Sequence, residues 1–398
     1  PHDSVERYTD LGVEVIKGYG KLINPWTVEI KLNDGTMQTL TARSIVIATG
    51  ARPFVPPLPG IETSGYVTSD TLWTEFAKLD TAPKKLVVLG GGPIGSELAQ
   101  SFARLGSQVI QIEMAERIMI REDLEVSEFA SQSLQKSGVN ILTSHQALRC
   151  EQRDGKKFIM VKNLKHEQGS DQEEEMAIEY DQLLCAVGRS ARLKGYGLEE
   201  LGIETNRTIQ TNEYLETLYP NIFAAGDIVG PYQFTHVAAH QGWYAAVNAL
   251  FGTFKKFKVD YRVIPWATFI DPEVARVGIN EQEAIEQGID YEITRFDFEE
   301  LDRAITDSAA NGFIKVITPK GKDKILGVTI VSEHAGDLIA EFVLAMKHGL
   351  GLNKILGTIH SYPTWAEGNK YAAGEWKRNH APETVLSWLE KFHTWRRG

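Results

Sequence analysis

The glycine spacing in KKLVVLGGGPIGSELAQSFARLGSQVIQIE, which runs from Lys84 to Glu113, suits contact with a phosphate group. The glycines that satisfy G-x-G-x-x-G are Gly90, Gly92 and Gly95. The first permits a tight turn, the second lets the backbone approach a pyrophosphate, and the third lets a helix lie close to a strand. The segment therefore predicts a dinucleotide site. The alternative is a glycine-rich turn that binds no ligand.

Regular elements around these glycines would hold them in place. The apolar run Lys85–Leu89 suits a buried parallel strand, and apolar residues recur at helical spacing from Ile94 to Leu105. Pro93 and Ile94 would begin this helix, whose N-terminal N–H groups and dipole favour phosphate. A second strand ends at Glu113, 18 residues after the third glycine. A carboxylate there binds a ribose 2′-hydroxyl and repels a 2′-phosphate, so the sequence favours NAD(H) over NADP(H).

Two further apolar strands end in residues that suit a cofactor. Residues 40–60, LTARSIVIATGARPFVPPLPG, contain a strand followed by Thr49 and Gly50 and then a proline-rich exit. Residues 219–230, YPNIFAAGDIVG, contain an apolar strand that leads into Asp227. An Asp at the end of a buried strand can accept hydrogen bonds from sugar hydroxyls at the carboxyl edge of a sheet. A strand-end cap is the alternative role for this Asp.

Together these segments resemble the pyridine nucleotide-disulfide oxidoreductase family, and the resemblance runs over nearly all of the chain. In that family ATG-x-x-P joins a flavin domain to a nicotinamide domain, and the GD strand returns the chain to the flavin domain. The resemblance implies an α/β protein with two Rossmann-like dinucleotide-binding domains, of which the FAD domain is truncated. It also implies a C-terminal α+β dimerisation domain, and FAD and NAD as cofactors.

The resemblance assigns individual residues to the cofactors. On the nicotinamide side, Gly188 in CAVGR joins the fingerprint residues and Glu113. On the flavin side, Gly20 matches a backbone contact to the adenine, and Asp227 matches the acid that binds the ribityl chain. His236 matches a position whose backbone faces the isoalloxazine. The other flavin-side residues that the resemblance implies are Thr49, Gly50 and Thr235.

The family's first fingerprint and its redox cysteine pair have no counterpart in this chain. The two cysteines, Cys150 and Cys185, are far apart and form no CxxC or CxxxxC pairing. Nothing around them suggests the electropositive, exposed setting of a reactive thiol, so we expect two inert buried thiols. No His, Cys and carboxylate grouping has the spacing of a zinc site, so no metal ligands are predicted.

The candidate catalytic residues lie mainly in HSYPTWAE, which resembles the family's H-x-H-P-T-x-x-E. In the family the second His is the acid–base for the thiol, and the Glu orients it. Here Tyr362 replaces that His and Glu367 matches the Glu, while His360 is either a substitute base or a structural residue. Tyrosine titrates near 10 and histidine near 6.5, so ordinary dithiol turnover is less expected here. The resemblance to mercuric reductases, which place tyrosine near the active site to serve a metal ion, implies a metal ion or another unlike acceptor. Glu97 matches a Glu that pairs with a lysine under the flavin; its alternative role is a first-turn acid that stabilises the helix.

Composition limits the classes of partner and setting. The chain of 398 residues has 42% hydrophobic residues and a net charge of −11. This charge argues against a general nucleic-acid or membrane-surface binder. Two cysteines and the lack of an apolar span suggest a cytoplasmic setting. The aromatic-rich tail SWLEKFHTW is interpreted as a docking helix.

Domain organisation follows from the motif order. Residues 1–82 would be a remnant of the FAD domain, 83–190 the NAD-binding domain, 191–258 the returning FAD or central domain, and 259–398 the dimerisation domain. We expect a homodimer through this last domain. The apolar residues that look exposed there are Trp365, Tyr371 and Trp376.

The sequence thus predicts an FAD-dependent oxidoreductase that passes hydride from NADH through flavin to a disulfide, a metal ion or another acceptor. Among family members the chain resembles mercuric reductases and dihydrolipoamide dehydrogenases. Two alternatives remain open at this point: the dithiol chemistry of the latter group, and a catalytically silent chain that binds nucleotide and dimerises.

Overall fold

The computed structural model describes residues 4–165 and 175–398. Its internal contacts divide the chain into two compact units. The first unit comprises the residues up to Arg52 together with 189–260, and the second comprises 53–188 together with 261–398. Each unit is built from two separated stretches, as expected when one domain is inserted into another.

The secondary structure alternates short strands with helices. The helices, in chain order, are α1 (Val5–Asp10), α2 (Ile61–Ser64), α3 (Leu72–Phe76), α4 (Pro93–Arg104), α5 (Leu124–Lys136), α6 (Thr235–Phe251), α7 (Glu281–Glu286), α8 (Asp302–Thr306), α9 (Ala335–Lys347), α10 (Leu352–Leu356), α11 (Glu367–Asn379) and α12 (Glu383–Arg397). The strands, in chain order, are β1 (Gly18–Asn24), β2 (Thr27–Leu32), β3 (Met37–Thr41), β4 (Ile45–Ile47), β5 (Ala51–Pro53), β6 (Val67–Thr68), β7 (Lys85–Leu89), β8 (Gln108–Ile112), β9 (Val139–Leu142), β10 (His145–Arg153), β11 (Lys156–Asn163), β12 (Glu175–Tyr180), β13 (Gln182–Cys185), β14 (Arg189–Ala191), β15 (Thr205–Asn206), β16 (Thr208–Ile209), β17 (Ile222–Ala224), β18 (Pro265–Thr268), β19 (Glu273–Gly278), β20 (Tyr291–Asp297), β21 (Phe313–Pro319) and β22 (Gly327–Ser332).

The first unit contains an antiparallel sheet of order β1-β2-β3 and a parallel pair, β4 and β17. Ile45 lies opposite Ile222 and Ile47 opposite Ala224. The inward side chains of this pair share a core with Leu198, and α6 lies against both strands. Because β4 and β17 are parallel, the segments that follow them leave at the same edge of the pair.

The second unit contains a parallel sheet of order β6-β13-β7-β8-β9. The run Lys85–Leu89 forms β7 as predicted, with Leu86 and Val88 fully buried because parallel strands are covered on both faces. The glycine segment leads into α4, and α4 and α5 lie against this sheet. The strand β6 comes from residues assigned to the FAD remnant in the sequence analysis, yet it pairs with β13. The four-part division of the chain stays a prediction.

Two antiparallel sheets complete the second unit. The smaller has the order β10-β11-β12, and the C-terminal sheet has the order β18-β19-β22-β21-β20. The helices α9 and α11 contact the C-terminal sheet, and their apolar residues enter one core with those of β21 and β22, including Phe342 and Ile330. This is the α+β layer that the sequence predicts for the C-terminal part.

The prediction that Trp365 and Trp376 are exposed in this layer was wrong. Trp365 is 9% exposed and Trp376 is 5% exposed, while Tyr371 keeps 38% of its surface accessible. The indole Nε1–H of Trp365 donates to Asp307 at 3.0 Å, and that of Trp376 donates to Glu292 at 3.0 Å. Because each indole N–H finds an internal acceptor, the large rings can be buried at little polar cost.

The last helix, α12, contains no buried residue. Among the described residues, no helix is both long enough and apolar enough to cross a membrane.

Candidate functional site

The fingerprint glycines form an open cradle at the carboxyl edge of the parallel sheet. Gly90 has a φ of 108°, and a Cβ there would lie 2.4 Å from the carbonyl oxygen of Ala186. A Cβ on Gly95 would lie 2.2 Å from the Gly90 carbonyl oxygen, so this glycine lets α4 approach β7. At Gly92, no described atom lies within 4 Å of the Cβ position. The cradle therefore fits a pyrophosphate that approaches bare backbone.

The N-terminus of α4 adds an electrostatic field that favours an anion in the cradle. Gly92 is the N-cap residue, Pro93 is the first helical residue and Ile94 the second. Proline suits this position because its missing N–H would have no helical acceptor there. The other N–H groups of a helix's first turn have no acceptor within the helix, so this position favours an anion.

Glu113 lies beside the cradle, just after β8. Its Oε2 accepts a hydrogen bond from the Gly91 N–H at 2.6 Å, and its Oε1 accepts one from the Ala115 N–H at 2.7 Å. Both carboxylate oxygens keep lone pairs for a further donor. The carboxylate thus connects the glycine turn to the end of the second strand, the place where an adenosine ribose would bind in a dinucleotide site.

Gly188 also lies at the carboxyl edge of the parallel sheet. It follows β13, which pairs with β7 in parallel, and it has a φ of 121°. Its carbonyl oxygen accepts from the Phe54 N–H at 2.9 Å. Tertiary structure therefore brings Gly188 to the edge that carries Gly90, although 98 positions separate them in the sequence.

In the first unit, the residues expected to contact flavin gather where β4 and β17 end. The Thr49 hydroxyl donates to the Tyr196 hydroxyl at 3.1 Å. Gly50 has a φ of 66°, and its Cβ position has no described atom within 4 Å. Asp227 lies 3.8 Å from the Arg189 Nε, measured from its Oδ2. An open backbone and a strand-end carboxylate suit one side of a nucleotide, so the residues present fit that part of an FAD site.

The helix α6 begins at this same place. Thr235 is its first residue, and the His236 ring stacks on Phe234 with ring centroids 5.3 Å apart. Gln241, which is fully buried, accepts from the Gly226 N–H at 2.6 Å. This side chain holds the turn before Asp227, and no motif in the sequence points to it because its partner lies 15 residues earlier.

Gly20 lies within β1, opposite Ile30 of β2. A Cβ there would meet the Val28 side chain at 3.5 Å, which is ordinary contact. Its expected contact with an adenine stays a prediction.

Glu97 contacts backbone rather than a basic side chain. Its Oε1 accepts from the Phe269 N–H at 2.7 Å, in the loop after β18. Burial raises the pKa of Glu97, and this hydrogen bond offsets only part of the effect. Within the second unit, Glu97 therefore joins α4 to the C-terminal layer, and its catalytic role stays a prediction.

The HSYPTWAE segment exposes Tyr362 at its tip. The Tyr362 hydroxyl donates to Asp302 Oδ2 at 2.9 Å, and the ring is largely exposed. The hydrogen bond and the negative charge of Asp302 raise the pKa of Tyr362, so this hydroxyl stays protonated at neutral pH. Asp302 starts α8, 60 residues before the tyrosine, and no motif in the sequence points to it.

His360 and Glu367 are held by neighbouring groups. His360 Nε2 lies 3.0 Å from Glu341 Oε1, and its Nδ1 lies 3.1 Å from the Thr358 carbonyl oxygen. Glu367 is buried, and its Oε2 accepts from the Thr364 N–H at 3.2 Å. Both ring nitrogens of His360 therefore face acceptors. The contact with Glu341 connects the tip of the HSYPTWAE segment to α9.

The two thiols are buried, as predicted. Burial raises the pKa of Cys185 to about 12 and also raises the pKa of Cys150. In the described parts of the chain, no group of three or more His, Cys, Asp and Glu residues could hold a metal ion.

The comparisons with known proteins agree with this geometry. The family described as "Pyridine nucleotide-disulphide oxidoreductase" matches residues 2–242, and its dimerisation domain matches residues 264–373. The mercuric reductase of Staphylococcus aureus is 36% identical over 375 residues, which is 92% of this chain and 65% of that protein. The mitochondrial dihydrolipoyl dehydrogenase of Dictyostelium discoideum is 36% identical over 91% of this chain and 72% of its own length.

A solved structure gives the same result. The Cu(II) complex of a HOCl-induced flavoprotein disulfide reductase mutant from Escherichia coli has a TM-score of 0.81 and 27% identity. The match covers 92% of this chain and 81% of that one. The predicted α/β fold with dinucleotide-binding and dimerisation domains is thus confirmed. The chain belongs to the pyridine nucleotide-disulfide oxidoreductase family, whose members are flavin-dependent enzymes that use FAD and NAD(P)H.

Proposed function

We propose that this chain forms most of an FAD-dependent oxidoreductase that oxidises NADH and reduces a metal ion or another acceptor that is not a dithiol or disulfide. The chain spans 65% of the length of the mercuric reductase from Staphylococcus aureus, so the activity of the whole protein is itself part of this proposal. The observation that carries the choice of acceptor is the tip, where the Tyr362 hydroxyl donates to Asp302 at 2.9 Å.

The second unit would bind the nicotinamide nucleotide. Gly90, Gly92 and the start of α4 would hold the pyrophosphate, and Glu113 would accept from the ribose 2′-hydroxyl. A carboxylate at this position repels a 2′-phosphate, so NADH is the expected reductant rather than NADPH. Gly188 would border the same nucleotide at the shared sheet edge.

In the first unit, Thr49, Gly50 and Asp227 would hold part of the FAD, together with Gly20 and the backbone at the start of α6. When bound, the flavin supplies the hydride and electron transfer chemistry. The contribution of the chain is to position the nucleotides and to orient Asp227 through the contact between Gln241 and Gly226.

At the tip, both imidazole nitrogens of His360 are engaged by neighbouring acceptors, and Tyr362 offers a phenol. Turnover of a dithiol needs a group that exchanges protons near neutral pH, and an imidazole does this well. The pKa of Tyr362 is raised further by Asp302, and His360 directs both ring nitrogens at Thr358 and Glu341. A metal ion takes up electrons without this proton transfer, which favours such an acceptor.

Two alternative functions make different predictions. A dihydrolipoamide dehydrogenase-like enzyme would turn over dithiols efficiently, as the Dictyostelium discoideum relative's name suggests for that protein. A catalytically silent chain is favoured by the burial of both thiols, Cys150 and Cys185. The homodimer and the cytoplasmic setting also stay proposals; the first is supported by the matched dimerisation domain.

The test compares acceptors in the whole protein of which this chain is proposed to be the larger part, purified with FAD and supplied with NADH. We expect reduction of Hg²⁺ but poor turnover of lipoamide and glutathione disulfide. Tyr362→His should raise disulfide turnover about a hundredfold, because a positioned acid–base contributes at least this factor. The variant should also gain a pH dependence near 6.5. Tyr362→Phe is the control, since it removes the hydroxyl without adding an imidazole.

Three outcomes would decide against the proposal. Efficient lipoamide turnover by the wild type at neutral pH, unchanged in Tyr362→Phe, would support the dithiol enzyme. Absence of flavin absorbance and of NADH oxidation with every acceptor would support the silent chain. Reduction of Hg²⁺ that does not require added NADH would show that the activity does not use the nucleotide site.

A further inference from the structure

The helix α12 (Glu383–Arg397) presents an apolar face that nothing in the described part of the chain covers. None of its 15 residues is buried. Trp388 is 62% exposed and Trp395 76% exposed, and Val385 and Leu386 are each about half exposed. Large apolar side chains at this density on one exposed helix mark a surface that contacts something else.

The apolar residues form one continuous stripe. Val385, Trp388, Leu389, Phe392 and Trp395 follow the three- and four-residue spacing of a single helix face. The Trp388 and Phe392 rings stack at 5.6 Å between centroids, and Phe392 and Trp395 lie 6.1 Å apart. The stripe is therefore a preformed surface rather than a set of scattered side chains.

The acidic and basic residues of α12 are separated along its length. The acids Glu383 and Glu390 lie on the opposite side, because residues two apart on a helix, such as Glu390 and Phe392, are separated by about 200°. The C-terminal half, KFHTWRR, holds Lys391, Arg396 and Arg397 with no acid. The Arg396 guanidinium lies 5.9 Å from the centre of the Phe392 ring, so a cation borders the aromatic surface.

We propose that α12 binds the surface of an anionic lipid bilayer and lies in the plane of the membrane. A helix with tryptophan, phenylalanine and leucine on one face and cations beside them matches the chemistry of the headgroup region. Tryptophan suits that region because it combines an apolar ring with an N–H donor. Lysine and arginine can extend their charged ends to anionic headgroups while their stems stay with the apolar layer.

Charge complementarity favours this occupant. The net charge of −11 argues against a general attraction of the whole molecule to a membrane surface. A total charge averages over the molecule, whereas binding to a membrane depends on the segment within a Debye length of the lipid, about 8 Å at physiological salt. The cationic end of α12 is such a segment.

A second copy of the chain is the competing occupant. The matched dimerisation domain ends at residue 373, before α12 begins. The helix is thus an addition to the part of the chain that the family uses for dimerisation. In a pairing of two copies, removal of the stripe would change the oligomeric state in the absence of lipid, and this is directly measurable.

The experiment is co-sedimentation of the full chain with sucrose-loaded vesicles, of phosphatidylcholine alone or of phosphatidylcholine with phosphatidylglycerol. We expect binding to the anionic vesicles, weakening with added salt, and little binding to the neutral ones. The triple variant Lys391→Gln/Arg396→Gln/Arg397→Gln should weaken binding about a hundredfold, since each cation near an anionic surface contributes roughly fivefold. Trp388→Ser/Trp395→Ser should abolish binding.

The control variant is Trp73→Ser, which removes a tryptophan of similar exposure, 65%, from a different helix. It should bind like the wild type. Because no residue of α12 is buried, the variants should melt at the wild-type temperature, and the salt dependence of the unmodified chain gives a second, mutation-free measure. Failure of the wild type to bind anionic vesicles would overturn the proposal. So would a lower oligomeric state of Trp388→Ser/Trp395→Ser without lipid, because a second copy would then cover the stripe.

Discussion

At the scale of single residues, backbone hydrogen bonds already orient Glu113, the carboxylate proposed to contact the nucleotide. Its two carboxylate oxygens accept from the N–H groups of Gly91 and Ala115 at 2.6 and 2.7 Å. These bonds orient the carboxylate and hold the glycine turn in one shape. A ribose hydroxyl that reached this position would therefore meet an acceptor that needs little reorganisation.

The first prediction is that Glu113→Ala weakens NADH binding by about 1–3 kcal/mol, because it removes a charged acceptor and two hydrogen bonds in the turn. NADPH binding should weaken less, because the repulsion of its 2′-phosphate disappears at the same time. Titration of both nucleotides against both proteins measures this. Glu116→Ala, which removes an exposed carboxylate three residues away, should change neither affinity. Equal wild-type affinities for NADH and NADPH would refute the assignment.

At the scale of elements, the buried Lys315 joins three elements of the second unit, β21, α5 and α7. Lys315 of β21 is 2% exposed, and its Nζ lies 2.6 Å from Asp123 Oδ2 and 2.7 Å from Glu281 Oε1. Glu125 of α5 is a third partner, at 2.5 Å. Burial alone would lower the pKa of Lys315, but the three carboxylates outweigh it and raise this pKa. The cluster therefore fastens α5 and α7 to the C-terminal sheet.

The second prediction is that Lys315→Ala destabilises the second unit by about 3–5 kcal/mol, because it leaves Asp123 buried without its cation. Denaturant unfolding with a probe in this unit checks the value. Lys320→Ala is the matched control in the same layer. Its partner Asp290 is 2.6 Å away, but both side chains are mostly exposed, so the loss should stay below about 1 kcal/mol. Similar losses in the two variants would contradict the role given to burial.

At the scale of the whole molecule, a dimer formed through the C-terminal layer would have to use residues other than the two buried tryptophans that the sequence suggested. Ile359 is 94% exposed beside the tip, and Leu344 of α9 is 59% exposed. His360 connects these neighbours through its contact with Glu341. An apolar patch next to the tip would place Tyr362 at the contact between two copies.

The third prediction is that the wild type is a homodimer and that Ile359→Glu weakens it by about 2 kcal/mol or more, the loss expected of a central interface residue. Light scattering across a concentration series gives the dissociation constant. Ile285→Glu, at a position 68% exposed on α7, should leave the dimer intact. A wild type that stays monomeric at micromolar concentration would count against the whole proposal for this surface.

Much of the fold could be predicted because its signals are local. Local interactions between residues close in sequence determine the strand Lys85–Leu89, the turn at Gly90 and the helix that follows. The spacing of the apolar residues therefore predicts these elements directly. The same holds for the burial of Cys185, which lies in the apolar strand QLLC. Short-range sterics and hydrophobic patterning act on contiguous residues, so one sequence is enough to read them.

Only the tertiary structure decided which distant groups meet. The pairing of Tyr362 with Asp302 spans 60 residues, and His360 meets Glu341 across 19. Trp365 and Trp376 lie in the core of the C-terminal layer, where Asp307 and Glu292 accept their N–H groups. The amphipathic pattern of α12 is visible in the sequence, but only the folded chain leaves that face uncovered. Such contacts depend on how sheets and helices are placed in space, and no spacing within a motif encodes that placement.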